Sequence, residues 1–93
     1  MKKKEEKTDM SEFTLIVGKR IRKARKAKNW TLDELSERCG LHPAYIFQLE
    51  RGVKNASLYT LEKIACALEL SLTDLVGNSD IVTETAKTNI PAD

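Results

Sequence analysis

The segment TLDELSERCGLHPAYIFQLERG, residues 31–52, is punctuated more sharply than any other part of the chain. Thr31 with Glu34 three residues on forms a capping box, in which the hydroxyl accepts one orphan backbone N–H and the carboxylate accepts another, so a helix begins there. It carries Leu35 and Cys39 inward and stops at Gly40, which sets the turn. His42 follows at a cap position, and Pro43 occupies the first helical position, where its missing N–H costs nothing. This second helix runs to about Arg51 and stops at Gly52, under three turns in all. Two short helices joined by a turn of three or four residues restrict the chain to a packed helical arrangement, and they describe a helix-turn-helix spanning about residues 31–51.

The flanking sequence supplies the rest of a bundle. Phe13, Val17, Ile21 and Ala24 recur at helical spacing, with Lys19, Arg20, Arg22, Lys23, Lys26 and Lys28 filling the other faces. These predict an amphipathic helix from near Ser11 or Glu12 to near Lys28, with a strongly basic outer face. Ser57 caps a helix whose Leu61, Ile64, Ala65 and Leu68 form one apolar stripe, and Ser71 with Asp74 starts a short last helix containing Leu72, Leu75 and Val76. The forecast is an all-α, compact five-helix domain over residues 12–77. A basic, disordered arm (residues 1–11) precedes it, and a polar tail (78–93) follows, in which Ile81 and Val82 are candidates for packing on the domain or a partner.

At 93 residues there is room for one modest core. The net charge of +2 conceals an asymmetry: residues 1–28 hold eleven Lys/Arg against four Asp/Glu, whereas residues 29–93 hold five against ten. A basic front half suits phosphate neutralisation, and solvated lysines that only confer solubility look the same. Lys2, Lys3, Lys4 and Lys7 are interleaved with Glu5 and Glu6, which dilutes any claim for a minor-groove arm. Cys39 and Cys66 form no CxxC pair and find no ligand set with the single His42, so neither a metal nor any cofactor is expected, and both read as free thiols in a reducing cytosol. One His, no paired carboxylates in a cleft and no phosphate loop argue against an enzyme. No run of about 18 apolar residues and no signal core exist, so membrane and secretion are not indicated and a cytoplasmic protein is expected.

A helix-turn-helix presents its second helix to the DNA major groove. At 100° per residue Tyr45, Ile46 and Leu49 point one way, toward a core. Pro43, Ala44, Phe47, Gln48 and Arg51 take the opposite arc of about 140°, the face left for DNA. Gln48 is the best base reader, because its amide donates to and accepts from adenine N6 and N7 together; a solvated surface glutamine is the alternative. Ala44 can touch only a thymine methyl. Phe47 has two roles open to it, packing on thymine methyls or folding back on neighbouring side chains. His42 either donates to a phosphate or serves simply as a cap. Arg51, Lys54 and Asn55 suit phosphate contacts that fix register without reading sequence.

The motifs GKRIRKAR, TLDELSERCG, AYIFQLERG and SLYTLEKIACALELSLTDL, taken together, resemble the lambda-repressor-like, Cro-type (Xre) helix-turn-helix family over about Gly18 to Leu75. The resemblance implies a sequence-specific double-stranded DNA-binding regulator of bacterial or phage type, with base contacts at His42, Pro43 and Ala44 and a phosphate contact from Thr31. It also implies a structural ion pair between Arg25 of the first helix and Glu50 of the recognition helix, which neutralises a carboxylate that would otherwise repel phosphates. The chain departs from the family pattern in four places. Pro43 and Ala44 replace polar readers, so DNA shape is expected to carry part of the specificity. Leu32, where Gln is frequent, removes one positioning bond. Ala56 stands where Pro is common. Glu69 replaces a turn glycine, so the turn there is expected to differ.

Apolar residues of the last two helices, Leu58, Leu70, Leu72, Leu75 and Val76, exceed what the core clearly needs. They are candidates for a symmetric homodimer interface, with core packing as the rival explanation. The expected function is a repressor or autoregulator acting as a homodimer on a pseudo-palindromic operator; the alternative is an antitoxin-like or bridging module whose main ligand is an unidentified protein partner.

Overall fold

A computed structural model describes residues 10–77 of the chain, so residues 1–9 and the candidates Ile81 and Val82 lie outside the described residues. Five helices follow one another: α1 (Met10–Ala27), α2 (Leu32–Cys39), α3 (Pro43–Glu50), α4 (Leu58–Ala67) and α5 (Leu72–Val76). The expected boundaries hold to within one or two residues, and the caps explain why. At α2 the Thr31 hydroxyl accepts the Glu34 N–H at 3.1 Å, while the Thr31 N–H donates to Glu34 Oε1 at 2.8 Å. Gly40 closes α2 at φ 73°, donating its N–H to the Ser36 carbonyl at 2.8 Å. Ser57 and Ser71 cap α4 and α5 through the N–H groups of Thr60 and Asp74, each at 3.1 Å. Asp74 completes a second capping box.

Helix α1 lies across α3 and α5, α2 packs on α3 and α4, and α4 packs on α5. Val17, Ile21, Leu35, Cys39, Ile46, Leu49, Leu61, Ile64, Ala65, Leu68 and Leu75 are buried together at the centre, one apolar stripe from each helix. Gly18 permits the close crossing of α1 and α3. A Cβ there would stand 2.3 Å from the Leu49 carbonyl oxygen and 2.6 Å from that of Glu50, so only a residue without a side chain lets α1 touch the end of α3.

Three expectations are corrected. Leu75 is fully buried, because it is the residue of α5 that fills the core; it has no surface to offer a second subunit. Glu69 does adopt the left-handed conformation, at φ 62°, so the turn after α4 retains the glycine geometry without the glycine. The Leu70 N–H donates back to the Ala65 carbonyl at 2.8 Å, and the Glu69 carboxylate meets Lys28 Nζ at 2.9 Å, contacts that hold the strained residue in place. Arg20 is not simply part of an outer basic face: its guanidinium donates to the carbonyls of Leu75 at 3.1 Å and Gly77 at 2.8 Å, fastening the end of α5 to α1.

Candidate nucleic-acid interface

The presentation of α3 follows from its wheel. Ile46 and Leu49 are buried and Tyr45 is half-buried, whereas Ala44, Phe47, Gln48 and Arg51 are exposed on the opposite side and Pro43 is half-buried at the entrance. His42 caps the helix by accepting the Ala44 N–H on Nδ1 at 3.0 Å. That acceptor role puts the neutral ring's proton on Nε2, which leaves Nε2–H as a donor to solvent or ligand. The Thr31 hydroxyl, acting as an acceptor inside its capping box, likewise keeps its own proton as a donor.

The far end of α3 is anchored by charge. Arg25 Nε donates to Glu50 Oε2 at 2.8 Å and its NH2 donates to Oε1 at 3.0 Å, a bidentate pair with both residues buried. The remaining nitrogen, NH1, donates to the Trp30 carbonyl at 2.8 Å, so one guanidinium ties α1, the α1–α2 turn and α3 together. The hydrogen bond to Glu50 raises the Arg25 pKa above its ordinary value against the opposing effect of burial. Glu50 therefore carries no net charge toward the exposed face. Trp30, which sequence reasoning passed over, is flanked by cations: Arg38 lies 4.2 Å and Lys28 5.3 Å from the ring centroid.

Two shallow grooves flank α3 and share the side chains of Leu32 and Phe47. One is lined by Thr31, Leu32, Asp33, Pro43, Ala44 and Phe47. The other is lined by Arg22, Arg25, Leu32, Phe47, Glu50 and Arg51. Phe47 stays 46% exposed, with the Arg51 guanidinium 5.6 Å from its ring centroid. By sequence Arg22 belongs to the basic face of α1; in the fold it lines the groove beside α3. Its position three residues before Arg25, on the same side of α1, is the signal that places it beside α3. Of the expected phosphate group, Thr31 and Arg51 each line one of these grooves. Lys54 and Asn55 do not join them; they line a separate crevice beneath α1 with Phe13, Thr14 and Val17. No group of His, Cys, Asp and Glu able to hold a metal occurs among the described residues, and none of their helices is long and apolar enough to cross a membrane.

The family profile described as helix-turn-helix matches residues 21–75, more than half of the chain. Control protein C.BamHI of Bacillus amyloliquefaciens is 40% identical over 67 residues, 71% of this chain and 83% of that protein. The HTH-type transcriptional regulator SinR of Bacillus licheniformis is 35% identical over 66 residues, 70% of this chain and 60% of the relative, so the chain spans less than two thirds of that regulator. Among solved structures, that of SinR, a master regulator for biofilm formation, in complex with DNA superposes with a TM-score of 0.61 at 37% identity, covering 63% of this chain and 95% of that one. With α2 and α3 arranged as a helix-turn-helix and the matched profile running from α1 to α5, the chain belongs to the Xre-type helix-turn-helix family of transcriptional regulators.

Proposed function

We propose that the protein is a repressor or autoregulator that binds a pseudo-palindromic operator as a homodimer, with α3 of each subunit in the major groove at half-sites about one helical turn apart. The observation that carries this reading is the exposed arc of Ala44, Phe47, Gln48 and Arg51 on a helix whose other side is fixed in the core and whose end is locked by Arg25–Glu50. Gln48 is assigned to a base edge, Arg51, Thr31 and His42 to phosphates, and Lys54 and Asn55 to backbone contacts farther along the duplex. For the dimer, Leu58 at 68% exposure is the strongest candidate, and Leu70, Leu72 and Val76, half-buried after the other end of α4 and along α5, are further candidates. DNA binding by the SinR of the solved complex, and the regulatory role in the names of the relatives, support the reading.

Paired substitutions and the oligomeric state test it. Gln48→Ala is expected to relax base preference at one position, whereas Arg51→Ala weakens binding to all sequences alike and lowers the salt slope by about one. Sedimentation equilibrium is expected to show a dimer that Leu58→Glu shifts toward monomer at unchanged Tm. Wild-type preference and affinity in both α3 variants contradict the groove placement; a monomeric parent at micromolar concentration contradicts the homodimer.

A further inference from the structure

We infer that the crevice between α1 and the start of α4 is the seat of a second copy of this chain: each subunit closes the other's crevice with Leu58, and Leu15 and Val53 form the apolar rim around the contact. The inference rests on the homodimer reading and deepens it by fixing which face the subunits share. Five large apolar side chains are exposed among the described residues: Leu15, Phe47, Val53, Leu58 and Tyr59. Phe47 belongs to the α3 face, and Tyr59 holds the Lys63 ammonium 5.4 Å from its ring centroid. The other three surround one hollow. Leu15 lies on the turn after α3, so close that a Cβ on Gly52 would stand 2.6 Å from its Cδ2 atom, which puts it beside Val53. Leu58 precedes Leu61 by one turn on the same side of α4, and Leu61 lines the crevice. Apolar groups gathered in this way on a small domain mark a contact surface, whereas single exposed ones do not.

The size of the hollow and its surroundings select the occupant. Phe13, Val17, Ile21, Leu49, Ala56 and Leu61 give it apolar walls, and its volume of about 30 Å³ admits the end of one side chain, far less than a free effector molecule fills. A two-fold contact needs protrusion and hollow on one patch, because both subunits present the same surface. Leu58 at the edge of the crevice is the protrusion, and the crevice is the hollow. Leu70, Leu72 and Val76, by contrast, already pack against the core of their own subunit. The patch also leaves the recognition helix clear: it lies past Gly52, beyond the end of α3, so a second copy seated on it does not cover Ala44, Phe47, Gln48 or Arg51. Lys54 and Asn55 line the crevice yet remain exposed, which keeps them at the edge of the seam, in reach of the backbone between two half-sites.

The test uses the full chain, in sedimentation equilibrium and on duplexes carrying one or both half-sites of the sequence it enriches from a random pool. Val53→Asn removes an exposed apolar group without adding charge, and Ala56→Val fills the crevice from within its own subunit. Each change occurs twice in a symmetric dimer, so the dimer dissociation constant is expected to rise about tenfold or more in either variant, with the parent's helical circular dichroism retained. A better-filled crevice weakens association only if a partner side chain lodges there, which sets Ala56→Val apart from an effect on folding. Binding to a single half-site is expected to stay at the parental level while binding to the full inverted repeat falls. A parental dissociation constant in either variant overturns this interface and leaves the homodimer standing. An equal fall on half-site and full site also overturns it, because the patch then acts on DNA directly. A monomeric parent at micromolar concentration overturns both the inference and the homodimer on which it rests.

Discussion

Arg25 and Glu50, 25 residues apart in sequence, meet in a buried bidentate ion pair that fixes the end of the recognition helix to the first helix. Because neither charge is solvated, the pair matters most when it is broken. Arg25→Ala leaves Glu50 buried without its partner and is expected to cost about 3–5 kcal/mol in urea unfolding. The double replacement Arg25→Met with Glu50→Leu should lose much less stability, since it removes both desolvation penalties. An equal loss in the single and double variants would show that packing, not charge, holds this contact.

Gly18→Ala places a methyl carbon against two backbone carbonyls that cannot swing aside as a side chain can. Overpacking of this kind costs ~1–3 kcal/mol, and here it pushes α1 away from α3. Unfolding midpoints and DNA affinity are expected to fall together, although Gly18 lies on no proposed DNA-contacting surface. Unchanged affinity at reduced stability would separate the crossing from the DNA-binding geometry.

Glu69→Gly relieves a non-glycine residue held at φ 62° and is expected to raise Tm by about 4–8 °C in a domain of this size. The Lys28 ammonium, through its hydrogen bond and then its charge, holds the Glu69 carboxyl below the usual carboxylate range. A carboxyl with its folded pKa depressed contributes stability above its unfolded pKa and loses that contribution as the pH falls through the lowered value. The gain from the glycine is therefore larger at low pH, where the parent no longer has the pair. Thermal melts of both proteins across the acidic range check the sign, and a gain that shrinks on acidification contradicts it.

Helix existence was legible because capping is local chemistry: Thr31 with Glu34, Gly40, Pro43, Ser57 and Ser71 each act within one turn of their own position. The buried side of α3 was legible for the same reason, since a wheel needs no knowledge of what covers it. Contacts between helices were another matter. Leu75 and Leu58 are both leucines near the ends of short helices, and only the packing of α5 on α1 and α4 separates a core residue from an exposed one. Arg20 and Arg22 stand two positions apart on α1, yet one clasps the last helix and the other lines a groove beside α3, because 200° of rotation sends them to different neighbours. At Glu69 residue preference opposed the turn, and the local backbone bond from Leu70 to Ala65 together with the long-range contact to Lys28 prevailed.

Selection of bound duplexes from a randomised pool, with affinity for the enriched sequence compared with random DNA at two salt concentrations, tests the central claim most directly. The account predicts an enriched inverted repeat with half-sites ~10 base pairs apart, bound at least ~10³-fold more tightly than random duplex. No enrichment, with binding that vanishes at moderate salt, would contradict it, reduce the basic face to non-specific electrostatics, and leave a protein partner as the ligand to seek.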